Sequence, residues 1–314
     1  MAGKLEALYL KLAEAGNTSD FPYLLGDQLH KSLLATYAKV ITTWRDWCKI
    51  EPNIQDFKEN YRIQISETED LLEVTEARPA EEGTISESRT NYLVKIYERV
   101  FGVPWQLLVN DDLGAIKQHP QRMGRAAART VAKFAVALLV ARTASVTVTT
   151  ALSATTLGTA INEFKTRTES KTGDPLGITP KYLIVPPALE ITAKQILNST
   201  LLIAIGVGST AATQGAYNAV NKAESGLELR VEPFLTDAND WYLVADPGDV
   251  PGIEIGFFRG WTEPRIYLRS TNVQGNDNPF DMGDFESHQI KYKVSHIYGG
   301  TMIDDNAILH VEVA

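Results

Sequence analysis

Asn110-Asp111-Asp112-Leu113, followed by His119-Pro120-Gln121-Arg122-Met123-Gly124-Arg125, opens the stretch on which the fold turns. The first run is a helix-start signal, and Pro120 suits the first turn of a second start, so one long helix is expected to reach about Ala141. Met123, Ala127, Thr130, Phe134 and Leu138 recur at helical spacing and predict its buried face. Arg122, Arg125, Arg129 and Lys133 form a basic stripe on another face. DNA or an acidic loop of a neighbour could meet that stripe, and a merely solvated face accounts for it equally simply.

Upstream of the helix the period falls to two. Tyr61, Ile63 and Ile65 alternate with Arg62 and Gln64, and Tyr92, Val94 and Ile96 alternate around Lys95, which predicts two long strands. Between them, Ser66 to Thr90 is rich in Glu and carries Arg78-Pro79 and Glu82-Gly83-Thr84, the composition of a polar hairpin tip. A lone two-stranded ribbon is marginal in water, so this hairpin needs a surface to lie on, and a neighbouring subunit would supply one. The first 50 residues read as helical, with Leu5, Leu8 and Leu12, then Leu29, Leu33, Tyr37 and Ile41, broken at Gly16-Asn17-Thr18-Ser19-Asp20. This segment ends near Trp44 and Trp47 without an obvious partner, as an arm that packs elsewhere would.

Downstream, a helix is expected over Leu152 to Thr168, then a buried strand at Tyr182 to Val185 closed by Pro186-Pro187, then a helix from Ala188 to Leu197. Strands are expected at Leu227 to Pro233, Trp241 to Ala245, Ile253 to Phe258, Arg265 to Leu268, Gln289 to Ile297 and Ala307 to Val313. The class is therefore α+β. No repeat of solenoid length recurs.

Composition narrows the function. The 314 residues are 44% apolar and 22% charged, which is enough for a real core and too ordinary for wholesale disorder. A net charge of −9 argues against gripping nucleic acid through an overall field, although a wall that encloses DNA with only weak, non-specific contact fits it. Cys48 is the only cysteine, which excludes an intrachain disulfide and a multi-cysteine zinc site and suits a reducing cytoplasm. Phe134 to Ala141 and Leu201 to Gly208 are the most apolar runs, each about eight residues against the roughly 20 a spanning helix needs. The first residues lack the apolar core of a signal peptide, and no membrane association is expected.

No catalytic, cofactor or metal site emerges from the motifs. Gly206-Val207-Gly208-Ser209-Thr210-Ala211 matches a dinucleotide-turn glycine pattern, with Glu224 and Glu228 further on, but no second βαβ unit follows. A flexible loop is the simpler reading. His30, His119, His288, His296 and His310 are scattered, and none is paired at i, i+4 on a helix. No serine lies in an elbow motif, and Cys48 beside Trp47 reads as packed. Asp111-Asp112 and Asp304-Asp305 could hold a divalent ion, but carboxylates at helix starts and turns are commoner.

The order of these elements resembles the Johnson fold of tailed-phage and herpesvirus shells. More narrowly, Val109-Asn110-Asp111-Asp112-Leu113-Gly114 with Pro120 and Gly124 resembles the phage Mu head-subunit family. So do Pro180-Lys181-Tyr182-Leu183-Ile184-Val185-Pro186-Pro187-Ala188-Leu189-Glu190, Trp241-Tyr242-Leu243, Ile253 to Phe258 and His288 to Val294. The resemblance implies an N-terminal arm (1–55), an E-loop hairpin (56–109), a spine helix of the peripheral domain (110–145), a mainly axial domain (146–285) and C-terminal peripheral strands (286–314).

It also implies a major capsid protein, made in the bacterial host cytoplasm and located in the virion, that assembles as hexamers and pentamers into an icosahedral shell around double-stranded DNA. The implied partners are a separate scaffold and protease, a portal protein and, in some phages, a decoration protein. Two alternatives remain: an encapsulin-like compartment shell of the same fold, and a nucleotide-dependent enzyme using Gly206 to Ala211. On the shell reading, Tyr61, Ile63, Ile65, Tyr92, Val94 and Ile96 are the candidate inter-subunit contacts. The double substitution Ile63→Asp with Val94→Asp is then expected to leave a folded subunit that cannot close a shell.

Overall fold

The computed structural model describes residues 21–40, 42–66, 71, 73, 82–104, 113–141, 145–148, 151–169, 172–202, 216–268 and 289–313. The chain divides into two compact units. One comprises Met1–Ile41, Lys95–Val131 and Phe258–Tyr298; the other comprises Thr42–Val94, Ala132–Phe257 and Gly299–Ala314.

In chain order the strands are β1 (Lys49–Ile54), β2 (Asn60–Ile65), β3 (Glu87–Tyr92), β4 (Lys95–Pro104), β5 (Ser145–Val148), β6 (Pro180–Val185), β7 (Leu201–Leu202) and β8 (Ala216–Tyr217). They continue with β9 (Glu228–Val231), β10 (Trp241–Ala245), β11 (Ile253–Phe258), β12 (Arg265–Leu268), β13 (Gln289–Met302) and β14 (Ile308–Val313). Mixed helix and strand in this order make the expected α+β class.

In the first unit, β13 pairs antiparallel with β12 and, over ten residues, with β4. One face of this sheet is aromatic. Tyr97 stacks on Tyr298 at 4.4 Å, Phe101 on Tyr292 at 5.2 Å, and Tyr37 meets His296 edge-on at 5.8 Å. Tyr37 and the buried Leu33 belong to the helix Phe21–Lys39, which also packs against β12. This helix crosses the long helix Leu113–Val140 closely enough that a methyl group on Gly124 would lie 2.6 Å from the Leu33 carbonyl oxygen. The second half of the expected arm therefore has a partner in its own chain. The sequence did not show this because the contact is made by backbone at a glycine, which leaves no apolar pattern.

The long helix is one continuous element, with Pro120 inside it and not at a fresh start. Proline leaves the carbonyl four residues earlier without its helical partner. Its buried face also differs from expectation. Gly124, Ala128, Val131, Ala135 and Leu139 are buried, Met123, Ala127, Phe134 and Leu138 are only half-buried, and Thr130 is exposed. Small residues win the interior because they allow close approach, while the larger apolar side chains lie along its border. Arg122, Arg125, Arg129 and Lys133 are all exposed, and Lys133 sits 5.8 Å from the Phe234 ring.

The second unit is built on the sheet β5-β14-β10-β6-β9, in which β5–β14 and β6–β9 run parallel and the other pairs antiparallel. Every residue of β10 is buried, and β6 is buried but for Lys181, as their continuous apolar runs require. The helix Ala154–Lys165 lays Leu157, Ala160 and Phe164 against this sheet at β6 and β14. It starts at Ser153, whose hydroxyl accepts from the Thr156 amide while the Thr156 hydroxyl accepts from the Ser153 amide. The helix Glu190–Asn198 packs on β9. Trp44, Trp47 and Cys48 are buried in this unit, with Trp44 6.3 Å from Phe257. Burial raises the Cys48 thiol pKa, helped by the charge of Glu232, which makes it a poor nucleophile.

Candidate functional site: an exposed hairpin face and its buried anchor

Among the described residues the hairpin consists of β2 and β3. Its register pairs Asn60 with Tyr92, Arg62 with Thr90 and Gln64 with Ser88 on one face, and Tyr61 with Asn91, Ile63 with Arg89 and Ile65 with Glu87 on the other. The expected second strand, alternating through Tyr92, Val94 and Ile96, is not formed. β3 ends at Tyr92, Leu93 and Val94 are outside any strand, and Ile96 belongs to β4 in the other unit. At this break Gly299 meets the chain so closely that a methyl group on it would lie 2.2 Å from the Leu93 carbonyl oxygen.

The six candidate contact residues accordingly separate. Tyr61, Ile63, Ile65 and Ile96 are 43%, 61%, 66% and 52% exposed, whereas Tyr92 and Val94 retain only 6% and 4%. The last two sit in the subunit's own core and cannot offer a neighbour much surface. The proposed double substitution at Ile63 and Val94 thus mixes a surface change with a core change. A residue period of two shows which side chains share a face within one strand, and it fails across a strand break.

On the exposed face, Arg89 lies over the Tyr61 ring at 3.4 Å. Glu59 accepts hydrogen bonds from the Tyr61 hydroxyl at 2.6 Å and the Asn91 amide at 3.0 Å. Those bonds, Tyr61 first, hold the Glu59 carboxyl below its usual range and raise the Tyr61 hydroxyl. Tyr61 is thereby tied to its neighbours on the hairpin, and with Ile63 and Ile65 it forms an exposed apolar step.

The opposite face is held by one carboxylate. Glu254, on β11, is wholly buried and accepts from Arg62 Nε at 2.7 Å and the Tyr92 hydroxyl at 2.6 Å, both on Oε1. Arg62 Nη2 lies 2.6 Å from the same oxygen, and Lys49 Nζ stands 3.5 Å from Oε2. The bond to Glu254 raises the Arg62 pKa, and burial followed by that carboxylate raises the Tyr92 hydroxyl. Removing one member of such a buried pair typically costs about 3 to 5 kcal/mol. Gly256 permits the approach: a methyl group there would lie 2.1 Å from Ile54 Cδ1 and 2.6 Å from the Tyr92 hydroxyl. The signal for this anchor was present in the run Ile253-Glu254-Ile255, since a carboxylate inside a wholly apolar strand requires a cationic or hydrogen-bonding partner.

A second buried carboxyl, Glu232, accepts a short hydrogen bond from the Thr43 hydroxyl. Desolvation raises its pKa against the opposing pull of Thr43 and the Phe234 amide. A raised folded-state pKa means that its contribution to stability is fully present below the unfolded carboxyl range and is lost as pH rises through the folded value. Glu232→Gln is therefore expected to melt above the parent at pH 7, with the gap closing as the pH falls toward 4. Thermal denaturation across that range checks it, and a gap that stays constant with pH would refute it.

The other sequence candidates do not converge. Asp304 caps a short 3-10 turn by accepting from the Asn306 amide at 2.8 Å, and Arg167 donates to the carbonyls of Asp305, Asn306 and Ile308. His310 stacks on Tyr242 at 4.5 Å and is 3.0 Å from Asp240, an arrangement internal to the sheet. Among the described residues no group of three or more metal-capable side chains forms, and no helix is long and apolar enough to cross a membrane. Gly206 to Ala211, Asp111-Asp112, His288 and most of the hairpin tip lie outside the described residues.

A hairpin with a row of exposed apolar side chains on one strand, a long helix and a pair of sheets, in this order, are the parts expected of a shell subunit of the Johnson fold. The chain belongs to the phage capsid protein family, whose pattern matches residues 87–311, more than two thirds of its length. Its role is structural, that of a major capsid protein in the virion. Among solved structures it is similar to the capsid of cyanophage P-SCSP1u, at 13% identity and a TM-score of 0.58, covering 87% of this chain and 88% of that one. It is also similar to the capsid of Myoviridae phage XM1, at 12% and 0.54 over 87% and 91%. A virus-like particle from Pyrococcus furiosus follows at 11% and 0.53 over 91% and 99%. At such identities the likeness is one of fold, and it is the family match that favours a phage capsid over a compartment shell. Comparison with curated protein sequences yields no match.

Proposed function

We propose that this chain is the Mu-type major head subunit of a tailed phage. In this reading it assembles as hexamers and pentamers into an icosahedral shell around double-stranded DNA, and it carries no catalytic or cofactor site of its own. The observation that carries the assembly reading is the exposed step formed by Tyr61, Ile63 and Ile65 on a hairpin held from behind by Glu254. Apolar side chains in a row on a two-stranded ribbon call for a partner surface, and a second copy of the chain supplies one in a closed symmetric assembly. Val109 to Gly114 and Pro180 to Glu190 support the Mu-type assignment. A separate scaffold and protease, a portal protein, an optional decoration protein and weak contact with DNA complete the proposal, with synthesis in the host cytoplasm.

The test is electron microscopy of the purified chain, alone and co-produced with its neighbouring gene products. Closed particles of uniform size are expected. A chain that stays monomeric in every combination would refute the assembly reading.

A further inference from the structure

We propose that Glu254 is an orientation lock for the hairpin: its single buried carboxylate holds both hairpin strands at their base, and breaking it frees the hairpin as a unit without unfolding the subunit.

The anchor is confined to the root of the hairpin. Arg62 reaches Glu254 from β2 and Tyr92 reaches it from β3, and these residues fall in the first two register pairs of that face counted from the base, Asn60–Tyr92 and Arg62–Thr90. Further out, the Glu254-side face presents Gln64 and Ser88, neither of them buried. Lys49, on β1, faces the other oxygen of the same carboxylate at 3.5 Å, so three segments meet at one side chain.

At the root one connection is exposed and able to give, that of residues 55–59, while Leu93–Val94 is packed against Gly299 and serves as the fixed pivot. Residues 55–59 between β1 and β2 and residues 93–94 between β3 and β4 lie outside the strands. The Glu254-side face is otherwise polar, with Asn60, Arg62, Gln64, Ser88 and Thr90 accompanying Tyr92. Releasing it would uncover the Tyr92 ring and the Glu254 carboxylate beside Ile54. A contact made of hydrogen bonds and ion pairs exchanges for water at far smaller net cost than an apolar interface, so the lock can open and re-form. Gly256 tunes its closure, because the bare backbone is what lets Tyr92 and Ile54 sit where they do. The geometry separates two functions on the hairpin: one face sets its direction, and the other, bearing Ile63 and Ile65, is free to meet a partner.

Hydrogen exchange on the full-length, unassembled chain tests the lock. Without its anchor the two-stranded ribbon is marginal in water, so in Glu254→Gln the amides of residues 60–65 and 87–92 are expected to exchange roughly tenfold faster, while those of β6 and β10 keep the parent's protection. Arg62→Gln, changed at a side chain that is 30% exposed, should reproduce the effect with β11 itself unaltered and Lys49 and Tyr92 still beside the carboxylate, so the test survives if the Glu254 variant does not fold. Arg62→Lys should recover part of the protection through the remaining ion pair. Ile63→Asp should change none of it. Unaltered hairpin protection in the Glu254 and Arg62 variants, or equal loss in β6 and β10, would overturn the proposal. The readout is made on single chains, so a failed shell reading leaves it standing.

Discussion

Ile63→Asp is expected to leave the chain folded and to abolish shell closure, whereas Val94→Asp is expected to prevent folding altogether. The two residues lie on segments that flank the same polar loop, and both belong to runs of alternating apolar residues. Their surroundings differ: Ile63 is 61% exposed on the outer hairpin face, and Val94 is 4% exposed beside the Leu93–Gly299 backbone contact. An exposed substitution usually shifts stability by about 0.5 kcal/mol, with up to about 1 kcal/mol more for placing Asp in a strand. An unpaired charge at a buried site costs more than about 4 kcal/mol, a large share of the roughly 5 to 15 kcal/mol that holds a domain together. For assembly the order reverses. A central apolar contact is worth about 2 kcal/mol or more, and in a symmetric shell every subunit loses it. Circular dichroism reports folding and negative-stain microscopy reports closure. Normal shells from Ile63→Asp would show that the outer hairpin face meets solvent in the virion, and a folded Val94→Asp would show that the loop after β3 is not part of the core.

Gly299→Ala should be the most damaging single methyl addition among the glycines of β13. Its new Cβ would lie 2.2 Å from the Leu93 carbonyl oxygen and 2.9 Å from the Val94 Cα. Both are backbone atoms, so no rotamer change relieves the clash. Overpacking that side chains can absorb costs about 1 to 3 kcal/mol, and a backbone clash belongs at or above the top of that range. Gly300 is a useful contrast. A methyl there meets the Glu254 carbonyl oxygen at 2.5 Å, but its other neighbours are the yielding side chains of Phe134 and Leu138. Urea unfolding of both variants should place Gly299→Ala below Gly300→Ala. Equal midpoints would mean that the strand break at Leu93–Val94 moves freely, contrary to the close packing described.

Much of the architecture was legible in the residues because local pattern and burial agreed. Trp241–Ala245, Ile253–Phe258 and Arg265–Leu268 are strands with the boundaries their composition implied, and the long helix was marked by a start signal and an unbroken helical period. Periodicity of this kind is a local property, set by 2.0 or 3.6 residues per repeat, and it needs no knowledge of the partner. The family likeness was readable for the same reason, since motifs and their order survive in one dimension. The outer hairpin face followed from Tyr61, Ile63 and Ile65 alone.

What only the tertiary structure decided were contacts between segments distant in sequence, where burial depends on the partner and not on the pattern. The arm helix packs at home because Gly124 lets Leu33 approach, and a glycine contributes nothing to a hydrophobic period. The helix buries Gly124, Ala128 and Ala135 in preference to Met123 and Phe134, because close packing selects for shape as well as for hydrophobicity. Tyr92 and Val94 turn inward because the strand that contains them in a one-dimensional reading ends at Tyr92. Glu254 is silent in sequence as to its partners, and its charge is tolerable only because Arg62, Tyr92 and Lys49 arrive from three other segments to surround it.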